Sequence, residues 1–159
     1  MLAFSVGVYD TLKFVHILAA IIWVGAGLFF QFHATRLQRS NDPVKFAGFA
    51  KDVEFYGLRL FTPASLLVLL TGIAMVLYSP GLDFSDTWIW LGLVGYAITF
   101  LTGATYLGPA SGRLGKMIDT RSPDDPEVQA GIRRIFTISR VDQTVILLVV
   151  ADMVFKPGL

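Results

Sequence analysis

The chain has 159 residues, 54% of them hydrophobic and 16% charged, with a net charge of +1. Its mean hydropathy is +0.63, whereas a soluble domain averages about 45–50% apolar and about 25% charged residues. Cysteine is absent, which excludes a disulfide framework, a Cys-based zinc or iron–sulfur site, c-type haem attachment and a Cys nucleophile; two histidines, His16 and His33, exclude a site needing three and a cytochrome with four axial histidines in one chain; the near-neutral charge gives no reason to expect nucleic acid as a partner.

A bilayer core of about 30 Å needs a helix of about 20 mostly apolar residues. Four stretches qualify, at about 11–32, 60–78, 87–107 and 135–155. Strands are the poor alternative, because the runs are too long and lack a period of two. The first run has no positively charged start and no small-residue cleavage site after it, so it reads as a retained span rather than a signal peptide. The fold expected is an all-α, polytopic membrane protein: one domain, residues 1–159, forming a bundle of four transmembrane helices.

Between the first two runs, Asn41-Asp42-Pro43 reads as a helix start, with Asp42 as the cap and Pro43 at the first helical position. Phe46, Phe49, Ala50 and Val53 then recur at helical spacing, opposite Lys45, Lys51, Asp52 and Glu54, as in an interfacial stretch feeding the second span. Pro63 should kink that span. In the third span Gly92, Gly95, Tyr96, Thr99, Thr102, Gly103 and Tyr106 share one face, the packed side, while Leu91, Val94, Ile98 and Leu101 should meet lipid. Trp88 and Trp90 fit an interfacial aromatic belt, and Gly108-Pro109 should end the span. Asp125-Pro126 starts the run into the fourth span as Asp42-Pro43 does before the second, a pattern that hints at an internal parallel repeat.

Basic residues set the expected orientation. Eleven of the thirteen lie in the first and third connections or at their edges, Arg59 and Arg140 included; Ser79 to Asp86 carries two aspartates and no basic residue. The positive-inside rule then places both termini outside and the two long connections in the cytoplasm. The expected location is the inner membrane of a bacterium, with the lipid bilayer as the first partner.

Ionisable groups within spans are functional candidates by default. His16 lies about one turn into the first span, on a stripe with Ala20, Trp23, Gly27 and Gln31. A neutral imidazole there is either hydrogen-bonded between helices or a ligand to haem iron. His33 is 17 residues further on, about 25 Å along a helix, so the two cannot share one iron. Asp152 lies at a depth similar to His16, and the two could pair if the first and fourth spans are neighbours. Arg140 and Asp142 are two residues apart and do not face each other on a helix. Each needs a partner elsewhere, among Arg59, His33, Gln31 or the acidic group of a ligand; a structural ion-pair network is the plainer alternative.

The run K-F-V-H-I-L-A-A-I-I-W-V-G-A-G-L-F-F, Lys13 to Phe30, resembles the opening helix of the HemJ-type protoporphyrinogen oxidases and of the copper-resistance membrane protein CopD. Thr62-Pro63-Ala64 and Thr71-Gly72 are similar to the T-P-A…T-G pattern of the same group, and Arg140 with Lys156-Pro157 looks like its closing segment. The resemblance implies that His16 is an axial ligand of a b-type haem with a redox role. This chain departs from the pattern twice. The region Trp88 to Leu93 has no counterpart of the Lys found early in the third span, and R-x-x-N-E-x-P appears as Arg140-Val-Asp142-Gln143-Thr144. The fold therefore carries over further than the activity. The ending V-A-D-M-V-F-K-P resembles, more closely still, a family of predicted four-span membrane proteins of unknown function. Two other functions fit the residues. One is a proton, ion or metal transport protein, with His16, Asp152, Arg140 and Asp142 as stations. The other is a non-catalytic accessory subunit of a larger membrane complex or homo-oligomer, docking through its glycine faces.

Overall fold

The computed structural model describes residues 7–40, 42–122 and 125–158, and among them every regular element is helical. Helix α1 is Val8–Ser40, α2 Pro43–Tyr56, α3 Thr62–Tyr78, α4 Thr87–Leu101, α5 Gly108–Thr120 and α6 Pro126–Phe155. Two π-helical turns, Gly57–Phe61 and Thr102–Leu107, join α2 to α3 and α4 to α5 without a break. The chain is therefore four long rods. Three of them are long and apolar enough to cross a membrane: Val8–Arg39, Gly48–Tyr78 and Thr87–Thr120.

Local chemistry sets the helix starts. The Asp42 carboxylate accepts from the Lys45 amide at 3.2 Å, and that of Asp125 from the Glu127 amide at 2.8 Å, with a proline following each. Both caps are where the sequence placed them; Asn41 and the side chain of Phe46 lie outside the described residues. The stretch after Pro43 feeds the second rod directly and packs on α5. One other expectation needs correction. Gly108-Pro109 does not end the third rod, which runs on to Thr120.

The reason is the same at both prolines. An interior proline lacks an N–H and clashes with the carbonyl four residues back. Here each is preceded by a π turn, in which the Thr62 amide bonds to the Gly57 carbonyl and the Gly108 amide to that of Gly103. Moving the ladder to five-residue spacing just before Pro63 and Pro109 lets the helix continue past them.

Packing differs between the two ends of the bundle. At the basic end, Ala34, Leu37, Leu114, Val128, Ile132 and Phe136 form a buried apolar cluster that joins α1, α5 and α6. In the apolar half, lipid is as hydrophobic as leucine, so small residues allow close approach instead. A Cβ at Gly92 would overlap the Met153 side chain, and one at Gly95 the Val149 side chain. These contacts seat α4 on α6, while α1 packs mainly on α3. Leu91, Val94, Ile98 and Leu101 are 49–56% exposed on the outer face of α4, as expected. Trp88 departs from the belt: it is buried, with the Lys156 ammonium 4.9 Å from its ring, whereas Trp90 is exposed. The end of α6 folds onto the start of α4 there, with Lys156 in a left-handed conformation and its amide bonded to the Asp152 carbonyl at 2.8 Å.

Candidate functional site

The inward stripe of α1 meets different partners along its length. Near the start, His16 Nδ1 lies 3.1 Å from the hydroxyl oxygen of Thr71 on α3. The ring is seated by Gly72, where a Cβ would come within 3.2 Å of His16 Cε1. Midway, the Trp23 ring meets Tyr96 of α4 edge-on, with centroids 5.6 Å apart. Toward the basic end, Gly27 makes room for the Gln143 carboxamide of α6, and Gln31 Nε2 donates to the Ser139 hydroxyl at 2.7 Å. The last two contacts pair residues in reverse order, so α1 and α6 are antiparallel.

The hydrogen bonds of Thr71 fix the tautomer of His16. The hydroxyl has one proton, and its neighbours on α3 are the carbonyls of Leu67 at 2.5 Å and Val68 at 3.3 Å, which only accept. That proton is therefore committed to the backbone, and the oxygen accepts from His16 Nδ1–H. Nε2 is left with its lone pair, the form in which an imidazole binds a metal. Among the described residues no group of three or more His, Cys, Asp or Glu gathers to hold an ion by itself.

Asp152 does not meet His16. Its Oδ2 lies 3.5 Å from where a Cβ of Gly92 would be, on α4. The conditional pairing fails because the N-terminal end of α1 packs on α3 at Thr71, while the C-terminal end of α6 packs on α4 at Gly92. Nor do Arg140 and Asp142 find the expected partners. Arg140 extends over the Phe136 ring at 5.8 Å, Arg59 over Phe55 at 4.3 Å, and His33 stacks on Phe29 with centroids 5.8 Å apart. No salt bridge among the described residues involves Arg140, Asp142 or Asp152.

The polar atoms left over follow a pattern. The Trp88 Nε1, the Asp142 Oδ1, the Gln143 Nε2 and both Asp152 carboxylate oxygens are buried with no hydrogen-bond partner in the protein. All lie on α4 or α6. Asp142, Val145, Val149 and Asp152 recur at helical spacing, and the two valines contact α4 at Gly95, so one stripe of α6 carries both carboxylates. Thr71 and Gln143 are the site residues to which residue-level reading assigned no role. Their signal was a polar side chain on the inward face of an apolar run.

Residues 10–157 match the model of a family described as predicted integral membrane protein (DUF2269). No curated protein and no solved structure matches the chain.

Proposed function

The chain belongs to the DUF2269 family of predicted integral membrane proteins, and on that premise we propose that it is a small membrane haem protein of HemJ/CopD-like type, with His16 as an axial ligand and a redox role. One observation supports this above the rest: the Thr71 hydroxyl, already spent on the backbone of α3, holds His16 in the Nδ1–H tautomer with Nε2 free to ligate. Outer-shell acceptors of this kind orient metal-bound imidazoles. A bound haem would supply one-electron chemistry, with its potential tuned by the axial ligand and by burial. The chain's own part is to orient Nε2, seat the ring on Gly72 and keep water away with the apolar faces of α1 and α3. His33 is too far along α1 to reach the same iron, so His16 is the histidine of this chain that would hold the group.

The same proposal has α6 crossing the membrane as a fourth span. Its 30 residues reach about 45 Å. It lies along α1 through Gly27 and Gln31 and along α4 through Gly92 and Gly95, so it shares their depth. The basic residues gathered at one end favour an orientation with that end in the bacterial cytoplasm and both termini outside.

The visible absorption spectrum of the purified protein tests the haem reading. We expect a Soret band that His16→Ala abolishes. A protein produced with ample haem that shows no such band, or a band indifferent to His16→Ala, overturns it.

The α4–α6 seam favours a second reading, proton handling. Asp142 and Asp152 are ten residues apart on one stripe of α6, about 15 Å along the axis, and carboxylate oxygens of both are buried without a hydrogen-bond partner. Ionisable groups placed this way in a membrane mark proton relays. Proteoliposomes should then show a proton flux that Asp142→Asn and Asp152→Asn each remove; no flux, or flux unchanged in both variants, argues against it.

A further inference from the structure

Toward the basic end of the bundle, α1 and α6 part to leave a cleft of about 260 Å³. Gln31, Phe32 and Thr35 line it from α1, and Arg140, Gln143, Thr144 and Leu147 from α6. It lies away from His16, which sits near the opposite end of α1.

The hydrogen-bond accounts of these groups determine what could enter. The Thr35 hydroxyl donates to the Gln31 carbonyl at 2.8 Å, and that of Thr144 to the Arg140 carbonyl at 2.9 Å. One N–H of Gln31 Nε2 is committed to Ser139. Two further groups carry free donors. Gln143 is 8% exposed, with its Oε1 turned to Gly27 and its Nε2 without a partner. The Arg140 guanidinium is exposed, and no carboxylate among the described residues lies within salt-bridge distance of it. The Gln143 Nε2 and the Arg140 guanidinium both donate. An occupant that satisfies them brings acceptor oxygens, and it brings negative charge to answer Arg140.

The cleft walls supply the second requirement. Phe32 and Leu147 are 76% and 44% exposed, and Val141 and Leu148 beside the opening are 61% and 64% exposed, so the mouth faces the lipid side. One or two turns further toward the basic end, Arg36, Arg133 and Arg134 are all exposed, a band that concentrates anionic lipid. We propose that this cleft binds the anionic headgroup of an amphiphile entering sideways from the bilayer. Arg140 and Gln143 Nε2 hold its phosphate or carboxylate oxygens, and Phe32 and Leu147 flank its acyl chain. The site is independent of the haem reading.

The test is native mass spectrometry of the full chain. The protein is released from micelles holding equal amounts of phosphatidylglycerol and phosphatidylcholine of one acyl composition. A charge-assisted hydrogen bond predicts about a tenfold preference for phosphatidylglycerol. Arg140→Gln, at an exposed position, removes the preference. The near-isosteric Gln143→Glu, which trades the donor for a like charge, reduces it. Lys13→Gln, exposed at the far end of α1 and outside both the cleft and the arginine band, leaves it intact. Equal retention of the two lipids overturns the proposal, as does a preference that survives Arg140→Gln. Inorganic phosphate that stabilises the protein through Arg140 and displaces the lipid at millimolar concentration would overturn the amphiphile in favour of a soluble anion.

Discussion

The imidazole Nδ1 of His16 and the hydroxyl of Thr71 meet at 3.1 Å across the α1–α3 interface. Each is the other's side-chain hydrogen-bond partner, because the Thr71 proton is already committed to α3. Thr71→Val keeps the volume but removes the side-chain acceptor and leaves the His16 ring only the Val68 backbone as a partner, which should cost about 0.5–1.5 kcal/mol. Thr71→Ser keeps the acceptor and should cost less. Unfolding in detergent checks the order. If His16 binds haem, the absorption band should also shift in Thr71→Val and hold in Thr71→Ser, a readout that a purely structural hydrogen bond would not move.

Asp83, in the connection between α3 and α4, gives a pH signature. Its carboxylate is held below the ordinary carboxylate range, first by the Ser85 side chain and then by the Ser85 amide at 2.8 Å. A group whose folded pKa is depressed lends stability above its unfolded pKa and loses it as the pH falls through the folded one. NMR titration should find Asp83 ionised to lower pH than a free aspartate. Ser85→Ala should bring it part of the way back, since the amide bond remains. An Asp83 that titrates at the ordinary value in the wild-type chain would contradict this.

Lys51 and Asp119 join α2 to α5 by a salt bridge of 2.8 Å, but their side chains are 55% and 50% exposed. Water and salt screen such a pair, so its net contribution should fall between about 0 and 1 kcal/mol. The Lys51 stem also packs on Gly115. Lys51→Met keeps that contact and removes the charge, so it is the cleaner test. Its effect should shrink further when the salt concentration is raised toward molar.

How much of this was legible in the sequence depends on range. The Asp42 and Asp125 caps are local, and the residues beside them determine them. The lipid face of α4 was legible because Leu91, Val94, Ile98 and Leu101 recur at the helical period, and Gly92 and Gly95 mark the opposite side. The continuation through Pro109 was not legible, nor were the π turns before Pro63 and Pro109. The usual rule makes proline a kink or a stop, and a π turn that absorbs one has no residue signature of its own. The partner of His16 was out of reach for another reason. Depth can be read from position along a span, but which helix lies beside His16 depends on how four rods are rotated and arranged. That same arrangement turned Trp88 inward, under the returning end of α6.

Gly95 tests whether the α4–α6 seam is as tight as its geometry. A Cβ there would overlap a γ-methyl of Val149, and the Val149 Cβ itself is only 3.8 Å away. Val149 is β-branched and stiff at χ1, so it cannot swing aside as the flexible Met153 opposite Gly92 can. Gly95→Ala should therefore destabilise by about 1–3 kcal/mol, the range for overpacking, and Gly92→Ala by less. Gly25→Ala, where an added Cβ meets nothing within 4 Å, is the control; it should be neutral or gain up to about 1 kcal/mol from helix propensity. Val149→Ala in the Gly95→Ala background should restore much of the loss, since the added methyl then occupies the volume removed across the seam. Thermal unfolding of the single and double variants in one detergent decides it: a Gly95→Ala protein as stable as wild type, or a double variant that merely adds the two losses, would mean that α4 and α6 do not meet at this point.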